Sequence, residues 1–320
     1  MNRRLIKKAL FLFIILFFVI LWGIFKGSVN IPYSELLHKA NQPILYLRCL
    51  RVLMAIIAGS GLAVSGIALQ AILRNSLAEP YLLGTSSGAG LGAVIAIVMG
   101  ISRIYLPLAA FLGAILSIIL VYNLARQNNK IPEQSLILSG VIVSVALSAV
   151  IVFLISISGN EALHGMTWWL WGSLQVLDFK LLLVVSLIVL FGVAITYIFA
   201  QDLNAISIGE EEAIHLGINI DVVKKILILT TSLITASLVC ICGIIGFVGL
   251  MIPHMMRLIV GPNHKVLIPA TLFAAAIFMV ACDTISRTLF PPLEIPIGVI
   301  TAIIGAPAFI FLLKRKQRIR

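Results

Sequence analysis

The densest group of ionisable side chains is the stretch 201–225, QDLNAISIGEEEAIHLGINIDVVKK, which holds Asp202, Glu210, Glu211, Glu212 and Asp221, five of the chain's twelve acids. It lies between two long apolar stretches, so it must sit in water. It reads as a handle by which a soluble partner grips a membrane-embedded body; the plainer alternative is a solvated connection with no partner. The sequence predicts two short helices here, Asn204 to Ala213 and Asp221 onward, separated by Gly217.

Other residues with chemical potential are scattered. Cys49, Cys240, Cys242 and Cys282 fall in or beside apolar segments. Cys240 and Cys242 would point to different faces of a helix, and nothing nearby completes a metal set, so all four read as small apolar fillers. His254 has no second ligand beside it and reads as structural. Gly88-x-Gly90-x-x-Ala93 echoes a dinucleotide-binding turn, but no strand precedes it. The more useful spacing is Gly84, Gly88 and Gly92, four apart on one helix face, with Gly61 and Ser65 repeating it upstream. Small residues so placed let membrane helices approach closely. Arg48 and Arg51, with Arg287 far downstream, are cations on what the charge count makes the outer side. They either snorkel to headgroups or form a basic platform for an acidic soluble partner.

The elements that must position these residues are membrane helices. The chain is 61% hydrophobic and 11% charged, with a mean hydropathy of +1.15, which excludes a soluble globular protein. The apolar runs are long and continuous rather than alternating, so the expected class is an all-α polytopic membrane protein and not a barrel. Ten spans are predicted, at 9–25, 52–73, 86–102, 105–125, 135–157, 181–200, 226–243, 246–261, 266–282 and 296–313. The run 9–25 lacks a following cleavage site and reads as an uncleaved first helix. A tryptophan-rich stretch, EALHGMTWWLWGSLQVLD, reads as a short helix on the outer surface.

Net charge is +11. Its cations cluster at the two ends, Arg3, Arg4, Lys7 and Lys8 and then Lys314, Arg315, Lys316, Arg318 and Arg320, where they serve as topology anchors rather than a nucleic-acid surface. With both termini inside, 16 of the 23 Lys and Arg residues fall on the cytoplasmic side, as the positive-inside tendency requires. The acidic stretch is then cytoplasmic. The chain reads as one domain, 1–320.

No phosphate-gripping G-x-x-x-x-G-K-[ST] run is present. Glu35, Glu133, Glu161, Asp178, Asp283 and Glu294 are all expected in loops or at span ends, so no proton or ion relay is expected inside the membrane. A stand-alone secondary transporter or channel would need such a relay, and an intramembrane enzyme would need a nucleophile–base set or metal ligands. Energy for any work is expected from another subunit.

Five ordered motifs then point to a family: RCLRVLMAIIAGSGLAVSGIALQAILRNSLAEPYLLGTSSGAG (48–90), WLWGSL (169–174), SIGEEEAIHLGI (207–218), GIIGFVGLMIPHMMRLIVGPNH (243–264) and EIPIGVITAIIGAPAFIFLL (294–313). Across essentially its whole length the chain resembles the permease subunit of FecCD-type, or type II, binding-protein-dependent ABC importers for iron chelates, haem and cobalamin. Two departures from the family pattern are small: Arg48-Cys49-Leu50-Arg51 lacks the family's proline, and Ser76 stands where the family has proline.

The resemblance implies a non-catalytic subunit of the cell membrane, with no cofactor and no nucleic-acid partner. It would pair with a second permease subunit, as a homo- or heterodimer, above two ATPase subunits and beneath an extracytoplasmic substrate-binding protein. It assigns ATPase coupling to Ser207, Gly209, Glu210, Glu211, Glu212, Ala213, Leu216 and Gly217. Binding-protein docking falls to Arg48, Arg51 and Arg287. The path and its inner gate fall to span five, the loop before it (Ile131 to Ser139) and span ten. An iron chelate or haem is the favoured cargo and cobalamin the alternative.

Overall fold

The computed structural model describes residues 3–29, 31–32, 35, 38–127, 131–176 and 178–317, the side chains at 3–6, 312–313 and 315–317 aside. The anchoring cations Arg3, Arg4, Arg315, Lys316, Arg318 and Arg320 therefore lie outside the described side chains.

The chain is all-α. Its helices run α1 (Arg3–Phe25), α2 (Gln42–Ile72), α3 (Thr85–Val98), α4 (Leu106–Ala125), α5 (Glu133–Ser156), α6 (Asn160–Trp171) and α7 (Phe179–Ile198). They continue as α8 (Ala200–Ile208), α9 (Glu210–His215), α10 (Ile220–Cys242), α11 (Val248–Val260), α12 (His264–Thr288) and α13 (Ile297–Gln317). Among the described residues no strand forms; there are only isolated bridge positions, such as the pair Phe290 and Leu293. Each of the ten predicted apolar runs overlaps one of these helices, several of which extend beyond it. Seven are long and apolar enough to cross a bilayer over their described residues; α3 and α11 are apolar but shorter, and α13 is apolar over Ile297–Phe311, the part before its undescribed side chains. The tryptophan-rich stretch forms α6, twelve residues long.

Two helices form the centre. In their most apolar windows, α2 is 78% buried and α10 72% buried, against 22–28% for α4, α5 and α7. Leu112 and Leu116 of α4, Val145 and Val152 of α5, and Leu187 and Phe191 of α7 are exposed, as expected of surfaces that face lipid or another membrane chain.

Hydrocarbon is as apolar as leucine, so close packing rather than the hydrophobic effect holds such helices together. Glycine permits it. A Cβ on Gly66 of α2 would run into the carbonyl oxygen of Gly249 in α11, and one on Gly59 would stand 2.5 Å from the Ala275 carbonyl oxygen of α12. Between α3 and α4 the same holds at Gly88, against Gly113, and at Gly92, against Ala109. Gly61 packs on Leu238 and Ile234 of α10, and Ser65 is fully buried. Gly84 lies outside the helical stripe: it precedes α3 with φ of +75°, a conformation that favours glycine, and its carbonyl accepts from Ser117 of α4 at 2.8 Å.

Several sequence expectations are corrected here. Helix α2 begins at Gln42, so Arg48 and Arg51 lie inside it rather than in the preceding loop. Helix α12 runs on to Thr288, so Asp283 and Arg287 are helical and buried, at 0% and 2% exposure, rather than at a span end. Their mutual charge neutralisation permits the helix to continue where an apolar count would stop it. The predicted helix Asn204 to Ala213 is two helices, because Gly209 is extended (φ 178°) between α8 and α9. Cys49 is exposed rather than packed, while the other three cysteines are buried.

Candidate functional sites at the two ends of the bundle

Helix α12 separates two charged regions. Its first residue, His264, is held by Asn204 of α8 through both its backbone N–H and its ring Nδ1, each at 2.8 Å. Arg287 lies near its other end. At 1.5 Å per residue the two are about 35 Å apart along the helix, slightly more than the roughly 30 Å of a hydrocarbon core. The α8–α9 segment and the arginine cluster therefore occupy opposite ends of the bundle.

At the arginine end, α1 stops at Phe25 and leaves carbonyls without helical partners. Two guanidiniums meet them. Arg48 donates to Ile24 (3.2 Å), Phe25 (3.1 Å) and Val29 (2.6 Å), and Arg287 donates to Gly23 (3.0 Å) and Lys26 (3.1 Å). Cations at a helix C-terminus also answer the negative end of its dipole. Arg51 donates its Nε to Asp283 and its Nη1 to Glu294, both at 2.7 Å. The other oxygen of Asp283 lies 2.9 Å from Arg287 Nη2, a charge contact off the hydrogen-bonding axis. Burial alone would raise the Glu294 carboxyl, but the Arg51 charge, with hydrogen bonds from Arg51 and Gln175, holds it below its ordinary value.

The three arginines thus do not snorkel; they are buried and partnered. They also line one open cleft of about 320 Å³, with Glu294, Gln175 and Val176. Glu294 is the carboxylate in its described lining and Asp283 lies behind it, so among the described residues three guanidiniums meet two carboxylates.

At the other end, α9 is a six-residue helix closed by Gly217 (φ +80°). The Gly217 and Ile218 N–H groups bond back to the carbonyls of Ile214 (2.8 Å) and Ala213 (3.1 Å), the paired bonds of a Schellman stop. Ala213 is buried against the core, in one cluster with Leu203, Ile206, Val223 and Leu227. The opposite face is open: Ser207, Glu211 and Glu212 are exposed, and so are Ile208 (74%), Ile214 (61%) and Leu216 (70%). These exposed apolar side chains stand beside the carboxylates of α9.

Glu210 faces inward instead. It accepts from Lys224 of α10 at 2.5 Å, and Lys224 reaches Glu133, the first residue of α5, at 3.3 Å. Glu133 in turn accepts from Arg74 after α2 at 3.1 Å. Arg74 has φ of +43°, an uncommon conformation for a residue with a Cβ. The Lys224 hydrogen bond, with its charge, holds the Glu210 carboxyl below its ordinary value against the opposing effect of burial. The chain of charges ties the open α8–α9 segment to the first turn of α5.

Sequence reasoning missed a polar clamp between these ends. The segment 243–247 between α10 and α11 is not helical, and unwound backbone at this depth must find partners within the protein. Tyr81 supplies two, donating to the Ile245 carbonyl (3.0 Å) and accepting from its N–H (3.1 Å). Glu79 accepts from the Phe247 N–H at 3.0 Å, where φ is +70°. Gln70 is buried, donates to the Leu250 carbonyl (3.3 Å) and accepts from Arg257 (3.1 Å). The available signal was Gln70, Glu79 and Arg257 standing inside or beside otherwise apolar runs. His254 is buried, with its ring 5.8 Å from that of Phe309. Among the described residues no group of His, Cys, Asp and Glu is placed to hold a metal ion.

An all-helical membrane body with unwound segments clamped inside it, a charged cleft at one end and an open acidic–apolar helix at the other is the anatomy of a transport subunit. Comparison with known proteins gives the family. The FecCD transport family model matches residues 14–315, and the chain belongs to that family. It is 40% identical over 272 residues to the cobalamin import system permease protein of Halobacterium salinarum, covering 85% of this chain and 73% of that one. It is 32% identical over 333 residues to the hemin transport system permease protein of Yersinia pestis, covering 100% and 99%. A solved structure, described as a metal-chelate type ABC transporter in an inward-facing conformation, superposes with a TM-score of 0.87 at 32% identity, over 97% of this chain and 99% of that one. The chain is an ABC importer permease of the FecCD type, a non-catalytic component of the cytoplasmic membrane.

Proposed function

We propose that the chain is one of two permease subunits enclosing a path for an iron chelate, siderophore-bound or haem, powered by separate ATPase subunits and supplied by an extracytoplasmic binding protein. It acts as a single domain with ten crossings and both termini cytoplasmic. The observation that carries this reading is the α8–α9 segment. Its exposed Ile208, Ile214 and Leu216 offer apolar contact to an ATPase, Glu211 and Glu212 offer charge, and Glu210 connects the segment to α5. A rocking force on α9 would reach the first turn of α5 through Lys224 and Glu133. That turn belongs to the stretch Ile131 to Ser139 assigned to the inner gate, with α13 across the path.

At the outer end, the cleft lined by Arg48, Arg51 and Arg287 has the charge to receive a carboxylate of the binding protein. Cobalamin is the second reading, favoured by the 40% identity to a cobalamin permease. Liposomes reconstituted with candidate ATPase and binding proteins, assayed in parallel with ferric siderophore, haem and cobalamin, decide the cargo. ATP-dependent uptake of an iron chelate supports the proposal, and uptake of cobalamin alone replaces it. Reversing Glu210, Glu211 and Glu212 to Lys is expected to abolish uptake with membrane insertion intact; unchanged uptake removes the coupling assignment.

A further inference from the structure

A second cleft, of about 250 Å³, opens between the start of α1, the end of α7, the end of α11 and the start of α12. It lies at the α8–α9 end of the bundle, since Asn204 of α8 holds the first residue of α12. Its walls are apolar, formed by Leu12, Phe273 and the ring of Pro269, and Tyr197 stands among them. Two exposed lysines, Lys8 and Lys265, are also in the lining, with no carboxylate among the described lining residues.

The Lys8 side chain is anchored, and the backbone of Lys265 is held. Lys8 donates to the Ile259 carbonyl at 2.6 Å, in the last turn of α11. The Lys265 backbone lies in the capped first turn of α12, where its N–H meets the Asn263 side chain at 3.0 Å, and its side chain is exposed at the cleft. The first backbone donors of α12 are all taken: His264 by Asn204, Lys265 by the Asn263 side chain, and Val266 and Leu267 by the Asn263 carbonyl. An anion here is met by the ammonium groups, not by free amides. A ligand of this cleft must be anionic at one end and apolar for the rest of its length, and it must arrive from within the bilayer at headgroup depth.

We propose that this cleft is a binding site for one anionic phospholipid per chain, its phosphate between Lys8 and Lys265 and its acyl chains along Leu12 and Phe273. Tyrosine suits the same depth, where one end of the ring is wet and the other apolar. Basic pockets between transmembrane helices are a recurrent way to hold acidic lipid headgroups. The site staples α1, the least buried of the seven candidate spans, to the junction of α11 and α12, beside the residue that α8 grips.

The test is native mass spectrometry of delipidated protein titrated with cardiolipin, phosphatidylglycerol or phosphatidylcholine. Wild type is expected to retain one acidic lipid per chain in preference to phosphatidylcholine. The double variant Lys8→Gln with Lys265→Gln is expected to bind acidic lipid about thirtyfold more weakly, the counterpart of roughly 1 kcal/mol for each lysine. Ala270→Trp, which fills the cleft and keeps both charges, should displace the lipid as well. The control, Lys225→Gln with Lys314→Gln, removes the same charge elsewhere and should retain it. Equal weakening by the control would show diffuse attraction to positive charge and overturn the site. Undiminished retention in either cleft variant would overturn it too.

Discussion

Replacing Asp283 by Asn tests whether the outer arginines are built on an internal carboxylate before they meet any partner. Asp283 is fully buried between Arg51, 2.7 Å from one oxygen, and Arg287, 2.9 Å from the other. Removing one partner of such a buried set costs about 3–5 kcal/mol, because the remaining charge stays desolvated. Arg51 keeps Glu294 at 2.7 Å, and the amide oxygen still accepts one bond, so the low end, about 3 kcal/mol, is expected. With about 2.1 cal/mol/K of unfolding entropy per residue over 320 residues, that is a fall of about 4–5 °C in apparent Tm, measured in detergent at one fixed scan rate because such unfolding is irreversible. Arg287→Met alone removes the bonds to the Gly23 and Lys26 carbonyls and costs about 1–3 kcal/mol. Combined with Asp283→Asn it removes the uncompensated charge, so the double variant should be at least about 1 kcal/mol more stable than the two losses summed. Strict additivity, or an unchanged Tm for Asp283→Asn, refutes the reasoning.

Lys224→Met should leave Glu133 and Glu210 without their shared cation, so that ATP hydrolysis continues in the assembled transporter while uptake falls at least about tenfold; a proportional loss of both activities would point to simple misfolding. Gly66→Ala places a methyl against the Gly249 carbonyl of the neighbouring helix and is expected to destabilise by about 1–3 kcal/mol through overpacking, read as apparent Tm and as loss of monodisperse protein. For pH, Glu210 and Glu294 both sit below their ordinary value of 4.5 in the folded state. Their contribution is therefore fully present above pH 4.5 and is lost as pH falls through the lowered values. Apparent Tm should be flat from pH 7 to pH 5 in respect of these groups and fall below pH 4.5, with Glu294→Gln showing a shallower acid limb; a limb unchanged by that substitution contradicts the pairing.

How much of this was readable beforehand varies by element. The apolar runs located all seven helices long and apolar enough to cross a bilayer, because a helix in hydrocarbon satisfies its own backbone and its signature is local. Gly217 marked the end of α9 for the same reason: a positive φ is a property of one residue. Gly209 was not legible, since an extended φ is open to any residue and only the burial of Ala213 turns α9 away from α8. Helix α12 was drawn too short because Asp283 and Arg287 each look expensive in an apolar count, and their cost disappears only when they are neighbours of each other and of Arg51. The clamp by Glu79 and Tyr81 was missed because it depends on where 243–247 passes, and the sequence showed only that glycines interrupt that stretch.

What the sequence by itself determined is the solvent the protein lives in, the helices that solvent demands, and five ordered motifs that assign the family. All of these are properties of residues close together in the chain. Only the tertiary structure decided which charges are buried and with whom: Arg51 meets Asp283 across 232 residues and Lys224 meets Glu133 across 91. The physical reason is that a charge in a dry interior is tolerable only at hydrogen-bonding distance from its opposite. That distance is set by helices packing on glycine, not by the order of residues along the chain.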